Sequence, residues 1–421
     1  SATLVFVLSS DNLAPLNLAA ILTAFLFKDW DICRKKRNIN LIKMFLNEEQ
    51  KMLRQSVRDF AIREIDPLAD ELDKKEEFSY ELTRKMGDLG LFGMLTPREY
   101  GGSDMGFLSL VIAVEELARV DSSQAATLAA HETLGAYPIV KHGTEEQKKK
   151  YLPLLCDGKG LWAFGLTEPE AGSDSRNTKT IAERKNNKWI INGSKIFITN
   201  ASTDITRGIT LQTVVKENGK NNFTCFIVEP GINKYTARPM KNKLCWRASN
   251  TSELFFDDCE VSDDNMLGKI GDGSRIMLGT LEVGKLTIAA MGLGLSQGAY
   301  EMALEYAKNR KQFGQPIANF QAISFKLADM AVKIELARNT LYKACRLADT
   351  KQPFGYEATI SKLYCSEIAR EIADEAVQIF GGYGLMRDYK IERFYRDQRL
   401  LQIGEGTSEI QRLIISRKIL Q

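Results

Sequence analysis

Histidine is almost missing from this chain, because His131 and His142 are the two imidazoles among 421 residues. Such a small supply argues against a histidine-based metal centre and against a serine–histidine–aspartate triad, so we predict no metal site. We expect each histidine to be an ordinary packing or surface residue. The seven cysteines are scattered and form no CxxC pair. This pattern indicates reduced thiols in an intracellular compartment.

Charge of one sign is also lacking. The net charge is +3 with 26% charged residues, so the two signs are nearly balanced. A protein that binds nucleic acid favours a clustered basic face, and we therefore expect no nucleic-acid partner. No GxGxxG motif follows a strand and opens a helix, since the run "GLGLSQG" at 292–298 has the wrong spacing. A nicotinamide Rossmann domain and a P-loop are thus unsupported.

An apolar run occurs near the start, where residues 12–27 are uncharged and mostly hydrophobic. This run is shorter than the roughly 20 residues that span a bilayer. Basic residues follow it rather than precede it, unlike a secretory signal. We expect residues 1–43 to be an atypical N-terminal extension of unknown role, and we predict no membrane partner.

The pattern of apolar and polar residues changes twice along the remaining chain. Residues 44–160 carry the three- and four-residue apolar spacings typical of helices, whereas residues 161–272 are strand-like. Residues 273–421 return to helices. Between Leu327 and Ala348 the apolar positions repeat close to every 3.5 residues, the period of helices lying side by side. We predict an α+β fold with a helical layer, a small β-sheet or β-barrel domain and a helical bundle.

The strand-like region contains a candidate hairpin. The run "KWIINGSKIFIT" (188–199) alternates apolar and polar residues on both sides of Asn192-Gly193. An Asn-Gly pair between alternating segments is a strong hairpin signal, so we predict a turn at these two residues.

A single acid stands out near the C-terminus. The chain reads "QIGEGTSEIQRLIISR", and Glu405 lies between Gly404 and Gly406 just ahead of an amphipathic helix. One interpretation is structural: Thr407 or Ser408 caps the helix, and the acid meets the positive end of the helix dipole for roughly 0.3–1 kcal/mol. The other interpretation is that the acid has a chemical role, and the rest of the chain has to decide between the two.

Three further motifs combine turn residues with groups that bind polar ligands. After a strand-like run comes "FGLTEPEAGSD" (164–174), in which Gly172 breaks regular structure. A long helix ends in "NRKQFGQP" (309–316), where Arg310 carries a guanidinium suited to phosphate. Another helix runs into the glycines of "QIFGGYG" (378–384). Each motif alone is also explained as a surface turn, a charge at a helix C-terminus or a helix C-cap.

Together these motifs resemble the acyl-CoA dehydrogenase family of flavoenzymes. The family's order and spacing are matched by "FGLTEPEAGSD", "KIFITN", "RKQFGQPI", "QIFGGYG" and "IGEGTSEIQR", and the likeness covers residues 44–421. The resemblance implies an N-terminal helical domain, a central β domain and a C-terminal four-helix bundle, assembled as a homotetramer. It also implies noncovalently bound FAD, oxidation of an acyl-CoA to its trans-2-enoyl-CoA, and electron transfer to an electron-transferring flavoprotein.

The resemblance leaves the direction of the reaction open. The leading hypothesis is an acyl-CoA dehydrogenase, and the alternative is an enoyl-CoA reductase that runs the same site in reverse, in complex with an electron-transferring flavoprotein. A third class is a family-like scaffold in a larger assembly, anchored by residues 1–43 and with redox chemistry secondary. The intact Glu405 and cofactor motifs argue against it. The expected location is the cytoplasm if the source is bacterial, or the mitochondrial matrix if it is eukaryotic.

Site residues follow from the resemblance, position by position. Glu405 matches the base that takes the α proton while the β hydrogen leaves as hydride to the flavin. Some relatives carry the base on the helix after the β domain, where the matching position here is Gly284. The implied FAD contacts are Phe164, Leu166, Thr167, Gly172, Ser173, Phe197, Thr199, Arg310, Gln312, Phe313, Gln321, Gln378, Gly382 and Thr407. The implied substrate contacts are Ser173, Glu282, Lys285, Gly404 and Gly406.

Three positions depart from the family's usual residues. Phe197 stands where many members have Trp, and Lys285 where Arg is more common. The residue before the base is often Tyr in straight-chain enzymes, and here it is Gly404. The loss of that ring predicts a wider pocket that accepts a branched, aromatic or otherwise bulky acyl group.

Overall fold

The computed structural model describes residues 46–217 and 219–421. The predicted extension, residues 1–43, lies outside the described residues. Two compact units divide the chain, Ser1–Met52 and Leu53–Gln421, and the first described helix begins within the former.

The described chain begins with a layer of helices. Their bounds are α1 Glu48–Phe60, α2 Asp66–Lys75, α3 Tyr80–Asp88, α4 Gly106–Ala118, α5 Ser122–Ala129, α6 Tyr137–His142 and α7 Glu145–Tyr151. Two π-helical turns, Ala61–Ile65 and Ala130–Ala136, continue α1 into α2 and α5 into α6. α4 is buried from Leu108 to Ala118 and is therefore a core helix of this layer.

The middle of the chain forms one eight-stranded sheet. Its strands are β1 Leu161–Gly165, β2 Ile181–Lys185, β3 Lys188–Thr199, β4 Thr206–Glu217, β5 Lys220–Val228, β6 Tyr235–Pro239, β7 Thr251–Val261 and β8 Met266–Leu267. Their order is β6-β7-β3-β2-β4-β5-β8, and β1 pairs in parallel with β4. Alternate side chains such as Trp189, Ile191 and Phe226 form a buried core, as expected for a strand with one face against the interior.

The predicted hairpin turn at Asn192-Gly193 is wrong. β3 runs without a break across both residues, and the turn lies earlier, at Asn186 and Asn187, which both have left-handed backbone (φ 50° and 61°). Gly193 instead sits at an irregularity in the β3–β7 register, where a Cβ atom would lie 2.6 Å from Thr180 Cα. The glycine is needed because two backbones approach closely, which the alternating pattern alone does not distinguish from a turn.

The C-terminal part is helical again. It contains α8 Gly273–Asn309, the small hairpin β9 Lys311–Gln312 and β10 Gln315–Pro316, α9 Gln321–Asp349, α10 Gly355–Phe380, α11 Ile391–Leu401 and α12 Ser408–Ile419. α8 packs along α9 and α10, and α4 of the first layer packs on α8. The predicted order of helices, sheet and helices is confirmed.

The apolar repeat in α9 is buried as predicted. The buried positions are Leu327, Met330, Ile334, Ala337, Leu341, Ala344, Cys345 and Ala348, among others. α8 is long and apolar enough to cross a bilayer, but most of its apolar stretch is buried inside the protein. Length and composition alone do not distinguish a core helix from a membrane span, but the burial of α8 favours a core helix.

Arg393 on α11 ties the two helical layers together. Its guanidinium is 2% exposed and pairs with Asp121, the residue that caps α5, while its Nε donates to Asp70 Oδ1 at 3.1 Å. Next to it, Asp397 Oδ1 accepts the backbone N–H of Trp246 at 2.8 Å. Because charges this deeply buried must be paired, these contacts join α2, α5, α11 and the segment between β6 and β7.

We expect Arg393→Met to destabilise the protein by about 3–5 kcal/mol, because Asp121 would stay buried without its partner charge. Lys188→Met is the matched control, since it breaks the exposed Lys188–Glu260 pair between β3 and β7 and should cost less than about 1 kcal/mol. Urea unfolding followed by circular dichroism measures both losses. Equal losses in the two variants would contradict this account of the core.

Candidate active site

Glu405 occupies a strained turn between α11 and α12. Its backbone is left-handed at φ 52°, a conformation that is uncommon outside glycine, and Gly406 follows at φ 94°. The side chain of Gln411, one turn into α12, donates to the carbonyls of Glu405 (3.3 Å) and Gly406 (2.9 Å). Thr407 caps α12 by accepting the Ile410 N–H, so the capping role falls to Thr407 and does not engage Glu405.

The Glu405 carboxylate points inward, into space that a missing side chain leaves open. Its Oε2 is buried and has no hydrogen-bond partner. A Cβ atom added at Gly284 on α8 would lie 1.8 Å from this oxygen and 3.0 Å from Leu134 Cδ2. Gly284 is thus required for the carboxylate to sit where it does, and a side chain at 284 and this position of Glu405 exclude each other.

Burial and two lysines set the charge of this acid. Burial raises the pKa of the Glu405 carboxyl to about 7, while the positive charges of Lys362 and Lys285 oppose that rise. Lys362 on α10 donates to the Gly406 carbonyl at 2.7 Å, and Lys285 on α8 donates to Thr359 Oγ1 at 3.1 Å. A carboxylate that titrates near neutral pH is well suited to accept and return a proton.

Glu282 and Gly404 are two further residues that the resemblance assigns to the substrate. The carboxylate of Glu282, one turn before Lys285 on α8, is exposed and would lie 3.0 Å from a Cβ atom at Gly355. Gly404 is partly exposed, and a Cβ atom there would lie 2.9 Å from Leu400 Cδ2. The wider pocket inferred from Gly404 stays a prediction.

Phe197 provides an exposed aromatic surface on the sheet. The β3–β7 register shifts between Lys195 and Ile198, and Phe197 adopts left-handed backbone (φ 61°) with 62% of its surface exposed. The Ile196 N–H donates to the Thr167 carbonyl at 3.0 Å, which places the loop after β1 beside this bulge. Leu166 and Thr167 therefore lie beside the segment of β3 that carries Phe197.

A buried ion pair holds that loop in place. Lys195, fully buried, donates to the Leu166 carbonyl at 3.1 Å and to Glu168 Oε1 at 2.7 Å. Glu168 also accepts the backbone N–H groups of Lys179 and Thr180. Further along the loop, Gly172 and Ser173 are exposed, and a Cβ atom at Gly172 would meet no atom within 4 Å. The loop is anchored at its start and open at Gly172.

Three further residues of the predicted FAD site lie in regular secondary structure or at a helix cap. Phe164 is buried in β1, Thr199 pairs with Thr251 in the β3–β7 ladder, and Thr407 caps α12.

The other predicted FAD contacts lie at the ends of the bundle helices. They are Arg310, Gln312, Phe313, Gln321, Gln378 and Gly382, and all are exposed. The Arg310 guanidinium lies 5.5 Å from the ring centre of Tyr383, and Phe313 is 93% exposed on left-handed backbone. Within the part of the chain that the structure describes, no hydrogen bond or ring contact joins this group to Phe197 or Glu405.

Two buried lysines were missed by the sequence reasoning. Lys362 interrupts the buried stripe of α10, between Ala358 and Cys365. Lys195 is in phase with Trp189 and Ile191 on the buried face of β3. In both cases the sequence places a charged residue in phase with a buried apolar stripe. This pattern could have indicated a buried lysine with a hydrogen-bond or ion-pair partner, because a buried charge needs one.

Comparison with known proteins agrees with this architecture. Models of the acyl-CoA dehydrogenase N-terminal, middle and C-terminal domains match residues 47–159, 163–259 and 271–420. An acyl-CoA dehydrogenase of Bacillus subtilis (strain 168) is 46% identical over 378 residues, 90% of this chain and 99% of the relative. The caffeyl-CoA reductase-Etf complex subunit CarC of Acetobacterium woodii is 40% identical over 379 residues, 90% of this chain and 100% of the relative.

A solved structure is similar over the same span. Butyryl-CoA dehydrogenase from Megasphaera elsdenii superposes with a TM-score of 0.86 at 40% identity, and the match covers 90% of this chain and 99% of that chain. The helix–sheet–helix fold and its matches define an oxidoreductase that acts on acyl-CoA. The chain belongs to the acyl-CoA dehydrogenase family.

We expect Gly284→Ala to lower acyl-CoA turnover by at least about 100-fold, because the new methyl group displaces the Glu405 carboxylate by more than an ångström. Gly279→Ala on the same helix is the control: a Cβ atom there meets nothing within 4 Å. The control should keep wild-type turnover and gain about 0.5–1 kcal/mol of stability. Steady-state kinetics compares the two, and wild-type activity in Gly284→Ala would refute the steric exclusion.

Proposed function

We propose that this enzyme converts an acyl-CoA thioester to its trans-2-enoyl-CoA, with Glu405 as the base that removes the α proton. The observation that carries this proposal is the Glu405 carboxylate itself. Its Oε2 is buried and lacks a hydrogen-bond partner, and its pKa lies at about 7. A buried acid without a partner is costly to the fold, so its retention points to chemistry.

The cofactor is FAD, and the residues around Phe197 fit it. The exposed ring of Phe197 offers a wall for a planar group, and the open backbone at Gly172 admits a bulky polar one. Thr167 and Ser173 supply hydroxyl groups beside them. Bound FAD supplies the acceptor for the hydride that leaves the β carbon. We also propose that Arg310 and Phe313 contact the FAD of a neighbouring subunit, since both are exposed and no hydrogen bond or ring contact of the described residues joins them to Phe197.

We assign removal of the α proton to the turn that carries Glu405. An α C–H bond next to a thioester is a weak acid unless a donor stabilises the negative charge that develops on the carbonyl oxygen. Among the described residues, no acceptor takes the Glu405 backbone N–H, so it is available to that oxygen. The same residue therefore offers a carboxylate for the α proton and an N–H for the carbonyl.

We expect Glu405→Gln to bind FAD and remain folded but to lose about 10²–10⁴-fold in turnover, the usual contribution of a general base. In the wild type, the ionised carboxylate is the active form and its pKa is about 7. The value of kcat/KM should accordingly rise with pH through about 7 and then level off. Initial rates with butyryl-CoA and an artificial electron acceptor measure both effects. A Glu405→Gln variant that works at near wild-type speed would disprove the assignment.

An enoyl-CoA reductase is the second candidate, and one comparison favours it. A relative that is 40% identical is named as the caffeyl-CoA reductase subunit of an Etf complex. The same groups serve both directions: in reduction Glu405, protonated, returns a proton to the α carbon while the β carbon receives the hydride. Electron-transferring flavoprotein is the partner that we propose in either direction.

We also propose a homotetramer. Exposed apolar residues recur on one face of α9, at Phe325, Val332 and Leu336, and these resemble a covered interface more than a solvated surface. This face adjoins the hairpin that carries the exposed Phe313 through the ring contact of Phe313 with Phe320.

Native mass spectrometry of the untagged protein from its own host tests assembly and direction together. For a dehydrogenase we expect a species of four 47.3 kDa chains without tightly bound flavoprotein subunits. Stoichiometric flavoprotein subunits, combined with NADH-dependent reduction of an enoyl-CoA, would establish the reductase instead. A monomer that binds FAD and turns over fully would refute the tetramer.

A further inference from the structure

Lys362 is a buried cation that the catalytic proposal does not use. It lies in the middle of α10 with no exposed surface, flanked by the buried residues Ser361 and Cys365. Its Nζ makes one hydrogen bond, to the Gly406 carbonyl at 2.7 Å, and no carboxylate of the described residues forms an ion pair with it. Burying an ammonium group in this way is unfavourable without a compensating charge nearby.

The anions near Lys362 are Glu405, Glu367 and Glu409. Glu367 already accepts a hydrogen bond from Ser408 at 2.6 Å and lies 3.7 Å from Arg412. Glu409 is exposed in the first turn of α12, where solvent screens its charge. Glu405 is left as the buried anion without a partner of its own.

The other cation that faces Glu405 is engaged differently. Lys285 approaches from α8, donates to Thr359 on α10 and is also attracted by Glu282. Of these two lysines, Lys362 is the one that contacts the backbone of the turn that carries Glu405, where Gln411 also donates to the Gly406 carbonyl. The one hydrogen bond of Lys362 and its charge therefore act on the same three-residue segment, Gly404 to Gly406.

We propose that Lys362 is a positioning residue for Glu405: it fixes the turn through the Gly406 carbonyl, and its charge keeps the carboxylate ionised when a bound acyl-CoA excludes water. This inference rests on the proposed role of Glu405 and deepens it. A non-glycine residue in left-handed backbone costs about 1–2 kcal/mol, so the turn needs an external hold. Once a thioester covers the site, the local dielectric falls and the attraction between the two charges grows.

The test is the pH profile of kcat/KM in three variants. Lys362→Met and Lys362→Gln remove the charge, whereas Lys362→Arg keeps it together with a donor. Without the charge, the ionised form of Glu405 is less favourable and its pKa rises further. We expect the acid side of the profile to move up by about one pH unit in Lys362→Met and Lys362→Gln. The activity of these two variants then falls about tenfold near pH 6 and recovers by about pH 9, whereas Lys362→Arg keeps the wild-type profile throughout.

Lys343→Met is the control. Lys343 lies on α9 and pairs with Glu357 on α10, the helix that also carries Lys362, but Lys343 is exposed and does not touch the turn. Its profile should overlay that of the wild type. The Ser408 amide donates to the Gln402 carbonyl across this turn at 2.9 Å, and its hydrogen exchange, read by mass spectrometry, should be faster in Lys362→Met than in this control. If Lys362→Met and Lys362→Gln both leave the acid side of the profile unmoved, with any loss of activity independent of pH, the positioning role is wrong. Should Glu405→Gln itself retain turnover, the function proposed for Glu405 fails instead.

Discussion

The proposed chemistry depends on one constraint: the buried carboxylate oxygen Oε2 of Glu405 has no hydrogen-bond partner. An ionised acid out of water is unfavourable, and a protein normally offsets that cost with donors or an ion pair. At Glu405 neither contacts Oε2, and burial raises the pKa to about 7. The group is thereby kept poised to take a proton near neutral pH, which an exposed glutamate with a pKa near 4.3 does poorly.

Three helices create that environment, each through one feature. α8 supplies the space, because Gly284 has no side chain where the carboxylate lies. α10 supplies a positive charge and a donor in Lys362, and α12 holds the carbonyls of the turn through Gln411. Since α8 also packs against α4, the position of the acid depends on the first helical layer as well as on the bundle. The sheet contributes the separate exposed surface around Phe197, which the loop after β1 adjoins.

Periodicity and motif order predicted more of this protein than local turn chemistry did. The helix–sheet–helix order and the buried stripe from Leu327 to Ala348 follow from spacing alone, because helices and strands bury residues at different periods. The predicted hairpin turn at Asn192-Gly193 was wrong, since the sequence does not distinguish a glycine that admits a neighbouring backbone from a glycine in a turn. A raised pKa for Glu405 was expected from burial of the acid, and burial does raise it. The contact of Lys362 with the Gly406 carbonyl was not predicted, because it joins groups that lie far apart in the chain.

The central claim is that Glu405 moves the proton on the α carbon, and exchange of that proton with solvent tests it most directly. The enzyme is incubated in D2O with a saturated acyl-CoA and without an electron acceptor, and deuterium at the α carbon is followed by mass spectrometry. We predict exchange with the wild type, slowing as the pH falls below about 7, and none above background with Glu405→Gln. Equal exchange in the two proteins would show that another group is the base.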